Sequence, residues 1–311
     1  MIKAVEQLKI GVVGIPGKWS TEVLADEIEA KTGFRCVIDI EKVVADLSMP
    51  TVTYNGTCLC ELDAIIIKKI SQTYSPMVLD RLEILRFVES CGVKVYSKPC
   101  EIIRLVDRMS CTVSLARAKI PMPKTVITED INAALNAVKD FGEVVLKPLF
   151  STKARGMQVI SSEQSDKKIL NELQEFYDVH KFFYIQQKLN LPGHDMGLIF
   201  LGGEYQGAYA RVGNGESWNT TIHSGGKYAE VCPNQEVIDM ARKAQAQFDL
   251  AYTTVDIAET DNGPVCFEVS AFGGFKGAQE GLGLNMAGAY VDYVIADLRA
   301  EQQSNAINPA D

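Results

Sequence analysis

Histidine is scarce in this chain. There are 3 in 311 residues, His180, His194 and His223, too few and too scattered for a multi-histidine zinc site. Positive charge is also short. Lysine and arginine number 31 against 40 aspartates and glutamates, a formal net charge of -9. An extended nucleic-acid footprint would be basic, so no nucleic-acid partner is expected, although a local cationic pocket stays compatible with this balance. No apolar run nears the length needed to cross a bilayer, and no membrane partner is expected. Charges within Met1–Lys9 stand where a signal peptide would be apolar, which points to a cytoplasmic location. The 8 cysteines are scattered, several of them (Cys36, Cys91, Cys111, Cys266) in apolar surroundings, and read as buried free thiols. Cys58-Leu59-Cys60 is the one close pair. Without a second pair or nearby histidines it is a weak metal signal, and a cytosolic disulfide is not expected. The glycosylation sequons Asn55-Gly56-Thr57 and Asn219-Thr220-Thr221 carry no meaning in that setting. No internal repeat, coiled coil or low-complexity block is present.

What is there suffices for a sizeable core: 47% of the residues are hydrophobic, and the length suggests about two domains. Leu8–Gly14 reads as a buried strand, followed by a helix from Ser20 to Lys31 that Gly33 stops. The turn between them, Gly14–Ser20, holds Gly17 and Lys18, yet neither the Walker nor the GxGxxG spacing is met, so it reads as a tight strand-to-helix turn. Arg35–Ile40 and Leu62–Lys68 read as strands, Val78–Ser90 as an amphipathic helix and Val93–Tyr96 as a strand. Alternating strand and helix predicts a small parallel α/β domain over residues 1–100. No functional reading attaches to Tyr54–Cys60. A helix is predicted over Cys100–Ala118, ending at Ile120-Pro121-Met122-Pro123, an extended connector.

A second unit, residues 101–300, is expected beyond it. Its predicted order is strand Thr125–Ile127, helix Ile131–Phe141, strand Val144–Leu149, strand Met157–Ile160, helix Ser165–Tyr177 and strand Phe182–Gln187. Strand Met196–Leu201, a Gly202-Gly203 turn, strand Tyr205–Val212 and helix Asn234–Phe248 follow. Residues 301–311 read as a loose polar tail.

The chemistry gathers late, in Thr254–Gly277. Two apolar strands each carry an acid, Asp256 and Glu268, joined by the tight turn Asp261-Asn262-Gly263-Pro264. A buried carboxylate is costly unless a cation or donor meets it. A divalent metal with an anionic substrate is one reason for such a pair; solvent exposure at a sheet edge is the other. Upstream lie cations and donors suited to phosphate. Lys147 sits on a strand. Lys153 and Arg155 sit on the loop Phe150–Gly156, where Ser151, Thr152 and Gly156 add hydroxyl and backbone donors. Together these could hold a nucleoside triphosphate without a P-loop. Lys147 could equally snorkel to solvent, Arg211 could serve a structural ion pair, His223 could be satisfied by ordinary hydrogen bonds, and Trp218 reads as packing.

This order of elements resembles the ATP-grasp superfamily, specifically the RimK-like carboxylate–amine ligases, over about residues 100–298. Asp107-Arg108-Met109-Ser110 is similar to that family's entry into its ATP-binding region, and Val144–Pro148 to its nucleotide-lysine strand. Tyr184–Leu189 resembles its adenine hinge. Arg211 and His223-Ser224-Gly225-Gly226 resemble its arginine and histidine loop. Val255-Asp256-Ile257, Phe267–Ser270 and Phe275-Lys276-Gly277 resemble its metal strands and closing loop. The resemblance implies an N-terminal half-Rossmann domain followed by a two-subdomain ATP-grasp unit with antiparallel sheets. It implies ATP and Mg²⁺ (or Mn²⁺) as cofactors and an acyl-phosphate route to an amide, from small-molecule or peptide carboxylates and amines, with glutamate or another amino acid as a possible addend. A homodimer would be ordinary for the family. Carried over, the ATP-binding residues are Arg108, Lys147, Ser151, Lys153, Arg155, Gly156, Gln186, Gln187 and Leu189. The metal ligands are Asp256, Glu268 and Ser270, the catalytic residues Arg211 and Lys276, and the substrate residues Asn219 and His223. Arg108 stands where the family usually has lysine, Gln187 where it has glutamate and Ser270 where it has asparagine. A hydroxyl-directed phosphotransferase or a non-catalytic ATP-binding regulatory protein would fit the same fold.

Overall fold

A computed structural model describes residues 3–152, 154–215, 220, 222 and 225–307. It begins with β1 (Ile10–Val13), α1 (Trp19–Thr32) and β2 (Val37–Ile38). Every residue of β1 is buried, as a strand covered on both faces requires. Gly33 closes α1 in the left-handed region at φ 71°, where glycine carries no Cβ penalty. Next come β3 (Val44–Asp46), β4 (Thr51–Tyr54) and β5 (Thr57–Cys58), then β6 (Ala64–Ile67), α2 (Met77–Ser90) and β7 (Lys94–Tyr96). The order β2-β1-β6-β7 makes a parallel sheet. The three short strands make a separate antiparallel sheet. Tyr54–Cys60 is thus half a hairpin, turned by Asn55 and Gly56 at φ 47° and 80°, the positive pair that an Asn-Gly turn supplies.

The single helix expected over Cys100–Ala118 is two helices, α3 (Pro99–Val106) and α4 (Arg108–Arg117). Asp107 between them is extended (φ -98°, ψ 145°) and accepts a hydrogen bond from the Ser110 amide at 2.8 Å. Aspartate competes for local backbone donors and so prefers a cap to a helix interior. The break places Arg108 at the start of α4. The proline connector is pinned where Pro121 O accepts from the Cys266 amide at 2.8 Å.

After it come β8 (Thr125–Thr128), α5 (Ile131–Phe141), β9 (Glu143–Leu146), β10 (Gln158–Ser161), α6 (Asp166–His180) and β11 (Phe183–Gln187). They form an antiparallel sheet in the order β10-β9-β11-β8, whose core joins Leu146 and Ile185 to Phe176 and Leu173 of α6. A larger antiparallel sheet follows. β12 (His194–Leu201), β13 (Glu204–Val212), β14 (Lys227–Glu230), β15 (Tyr252–Thr260) and β16 (Gly263–Ser270) run in the order β14-β13-β12-β15-β16, with α7 (Gln235–Gln245) before β15. Gly202 and Gly203 turn β12 into β13 at φ 58° and 83°. α8 (Phe275–Leu282) packs on β13, and α9 (Met286–Ile307) packs back against α1. The tail expected to be loose from residue 301 is helical through Ile307, because Leu298 and the apolar residues before it join the core under α1. Among the described residues no helix is long and apolar enough to cross a membrane.

Candidate active site

Asp256 of β15 lies directly opposite Glu268 of β16. Paired residues on adjacent strands point to one face, so both carboxylates leave the sheet on the same side. Ser270, two residues beyond Glu268, shares that face. Arg211 of β13 stands opposite Asp195 of β12. Its Nε donates to Asp195 Oδ1 at 3.0 Å and its Nη2 to Asp195 Oδ2 at 2.6 Å. The same Nη2 lies 3.0 Å from Asp256 Oδ2. Thr220 Oγ1 donates to Asp195 Oδ1 at 2.9 Å. Burial pushes the Asp256 carboxyl up to about 7, opposed by Arg211 and reinforced by Glu268 and Asp195. Two flanking carboxylates hold the Arg211 guanidinium well above its ordinary value in spite of burial.

Asp256 Oδ1 is buried and has no hydrogen-bond partner. A bare buried carboxylate oxygen is costly, and a divalent cation is a fitting complement. Among the described residues no group of three or more His, Cys, Asp or Glu side chains is placed to hold a metal ion by itself. Two carboxylates nevertheless suit Mg²⁺, whose remaining ligands are phosphate oxygens and water. Cys60 meets Cys91, and the trio with Cys58 is not placed to hold a metal ion.

Lys147 follows β9, and its amide donates to Tyr184 O at 3.0 Å. Its Nζ donates to Gln186 Oε1, and Gln186 Nε2 donates in turn to Thr125 Oγ1 at 3.1 Å. Burial lowers the Lys147 ammonium to about 7, with Arg108 adding to the drop and Glu268 opposing it. Arg108 spans the gap between the sheets. Its Nη1 lies 3.3 Å from Glu268 Oε2, its Nη2 donates to Ser151 Oγ at 3.3 Å, and its Nε donates to Pro148 O at 3.4 Å. In the loop after β9, Arg155 Nη2 donates to Thr152 Oγ1 at 3.1 Å and to Gln72 O at 3.3 Å. Gly156 takes φ 70° against Pro148.

Of the two hinge glutamines, Gln186 is the one beside Lys147. Alternation along β11 turns Gln187 the other way, where its Nε2 donates to Phe141 O at 3.4 Å. Leu189 lines the cleft. Lys276 is the second residue of α8, half exposed, 3.9 Å from Glu280 and 5.7 Å from the Trp19 ring centre. Lys153, Asn219 and His223 lie outside the described residues, as does Trp218.

These side chains line one cleft of about 970 Å³ between the two antiparallel sheets and the C-terminal ends of β1 and β6, a volume typical of a ligand site. Among the described residues, nine lysines and arginines line it against three carboxylates, in a chain whose net charge is -9. Sequence reading missed several of these groups. Asp195 is an acid opening an otherwise apolar strand, the same signal that singled out Asp256. Lys68 and Lys69 follow the apolar strand Ala64–Ile67, at the strand end where parallel sheets bind ligands.

Residues 106–294 match the model of a family described as the RimK-like ATP-grasp domain. The chain belongs to the RimK-like ATP-grasp family. The tetrahydromethanopterin:alpha-L-glutamate ligase of Methanosarcina acetivorans is 26% identical over 320 residues, covering 92% of this chain and 98% of the relative. A probable alpha-L-glutamate ligase of Legionella pneumophila is 24% identical, covering 89% of each. Among solved structures, the ATP-grasp ligase PsnB, complexed with a phosphomimetic variant of its minimal precursor, Mg and ADP, superposes with a TM-score of 0.73. It shares 17% identity and covers 94% of this chain and 99% of that one, so the fold is ATP-grasp. The protein is an ATP-dependent ligase that joins a carboxylate to an amine.

Proposed function

We propose that this ligase phosphorylates a substrate carboxylate with ATP and then joins the resulting acyl phosphate to the amine of L-glutamate. The observation that carries the proposal is the Asp256–Glu268 cross-strand pair, with Asp256 Oδ1 unsatisfied and Arg211 beside it. Asp256 and Glu268, with Ser270 on the same face, would hold Mg²⁺. When bound, Mg²⁺ neutralises charge on the phosphates. Lys147 would hold the α- and β-phosphates. Arg108, Ser151, Arg155 and Gly156 offer charged and backbone donors along the rest of the chain of phosphates, joined by Lys153. The hinge from Gln186 to Leu189 would take the adenine, with the backbone serving where the Gln187 side chain is turned away.

In the first step a carboxylate oxygen attacks the γ-phosphorus and the bond to ADP breaks. In the second the glutamate amine attacks the acyl carbon, phosphate leaves and the amine gives up a proton. Neither step needs a protein nucleophile. Both need charge neutralisation and fixed orientation. Arg211, a rigid fork held by both Asp195 oxygens, would steady the transferring phosphoryl group. Asn219, His223 and Lys276 would face the substrates. Residues 1–100 would form one wall of the substrate pocket, residues 101–300 the ATP-grasp unit and residues 301–311 the tail. The glutamate assignment is supported by the alpha-L-glutamate ligases among the relatives. The test is incubation with ATP, Mg²⁺, isotopically labelled L-glutamate and a panel of carboxylate acceptors, read by mass spectrometry. A labelled amide formed together with ADP is expected. ADP formation that never accompanies labelled product, for any acceptor, would overturn the glutamate reading.

A further inference from the structure

The N-terminal wall of the cleft is also cationic. Its lysines stand at the C-terminal ends of two parallel strands, Lys18 in the turn after β1 and Lys68 and Lys69 directly after β6, where ligands of parallel sheets bind. Lys68 is 4% exposed. Its Nζ donates to Gly273 O at 2.6 Å and lies 4.2 Å from the Phe275 ring centre. A carbonyl and a ring face offset only part of the cost of burying an ammonium. Lys69 is steered by aromatic faces, with Nζ 4.8 Å from the Tyr74 ring centre and 5.6 Å from that of Phe272. The three carboxylates that line the cleft sit on the opposite wall, paired with Arg211 or Arg108. α1 begins beside Lys18 with no side-chain cap on its first amides, which adds a positive helix end to the same wall. A nucleoside triphosphate with its metal offsets only part of the positive excess of the cleft.

We propose that Lys18, Lys68 and Lys69, with Lys276 across from them, form an anion subsite that selects a substrate carrying two carboxylates. The subsite holds the carboxylates that take no part in bond formation, both of them in an incoming amino acid and one of the two in an acidic acceptor end. The inference rests on the ligase reading above and adds the residues that set its substrate class. The carboxylate pair belongs either to the incoming amino acid or to an acidic end of the acceptor, and the two are chemically alike at this wall.

Calorimetry on the full chain, with AMPPNP and Mg²⁺ present, separates them. The titrants are L-glutamate, N-acetyl-L-glutamate (an amine-blocked mimic of an acidic acceptor end), L-glutamine and L-norvaline. The expected result is that at least one of the two dicarboxylates binds about tenfold or more tightly than L-norvaline, L-glutamate marking the amino-acid site and N-acetyl-L-glutamate the acceptor site. Lys69→Met and Lys18→Met should erase that preference while AMPPNP keeps its wild-type affinity. These two serve alongside Lys68→Met, whose buried position puts folding at risk. Binding of both L-glutamate and N-acetyl-L-glutamate no tighter than that of L-norvaline overturns the subsite, and so does a dicarboxylate preference that survives in the Lys18→Met/Lys69→Met double variant. Absence of binding by all four titrants with AMPPNP bound also overturns it. Labelled amide in the ligation assay would then leave the ligase reading standing.

Discussion

Arg211 is the residue on which most of the charge balance turns. It meets Asp195 through two hydrogen bonds and Asp256 through a third contact, so truncating it removes the positive fork and leaves two buried acids facing each other. Arg211→Ala should lower kcat on the order of 10³-fold, as losses of phosphoryl-stabilising arginines do, with a smaller change in KM for ATP. Steady-state kinetics checks this. Lys147 makes a second prediction, from pH. Its ammonium falls to about 7 in the folded chain, chiefly through burial, so the folded state favours the neutral amine. The stability it contributes is present above its unfolded value of 10.5 and is lost as pH falls through about 7. Phosphates beside the amine reverse that preference. ATP binding at about pH 8, with metal chelated, should therefore take up a proton, visible as a dependence of binding enthalpy on buffer ionisation enthalpy. Lys147→Met should abolish the uptake, and an uptake unchanged in that variant would place the proton elsewhere. Asp256 and Glu268 were legible in the sequence because acids are out of place in apolar strands. Asp195 was equally out of place, but its meaning depends on which residue of the next strand it faces, and register is set by the hairpin rather than by composition.

At the level of elements, two local features carry tests. Asp107 separates α3 from α4 and caps the latter. Asp107→Ala should cost about 1 kcal/mol of stability and loosen Arg108, raising KM for ATP, as denaturation and kinetics would show. The break was hidden in the sequence because the flanking residues keep a helical pattern through it, and only the cap geometry reveals that one helix has become two. Gly277 lets α8 lie on β13, since a Cβ there would come 2.4 Å from the Tyr209 ring. Tyr209 is buried and its ring has little room to yield, so Gly277→Ala should destabilise by about 1–3 kcal/mol. A melting temperature equal to that of the wild type would contradict this packing. The small hairpin sheet went unread because its strands are only two to four residues long, too short for alternation to register, although Asn55-Gly56 marked its turn.

For the molecule as a whole, the cleft draws its walls from three sheets, and contacts across it decide how it closes. Arg155 reaches Gln72 O from the loop after β9, and Lys68 reaches Gly273 O from the other side. Nucleotide should tighten the first of these bridges. AMPPNP with Mg²⁺ is expected to slow trypsin cleavage at the exposed Arg155, measured by the mass of the fragments over time. Alternating strands and helices made the first hundred residues readable, and paired acids with upstream cations made the nucleotide end readable. The substrate wall was not readable, because Lys18 and the Lys68–Lys69 pair are 50 residues apart in sequence and meet only through the parallel pairing of β1 with β6. The order of bond making is followed most directly by oxygen transfer. An acceptor carboxylate labelled with ¹⁸O, incubated with ATP, Mg²⁺ and L-glutamate, should deliver one labelled oxygen to inorganic phosphate as ADP and amide form. Unlabelled phosphate alongside amide, or AMP in place of ADP, would contradict an acyl-phosphate ligase.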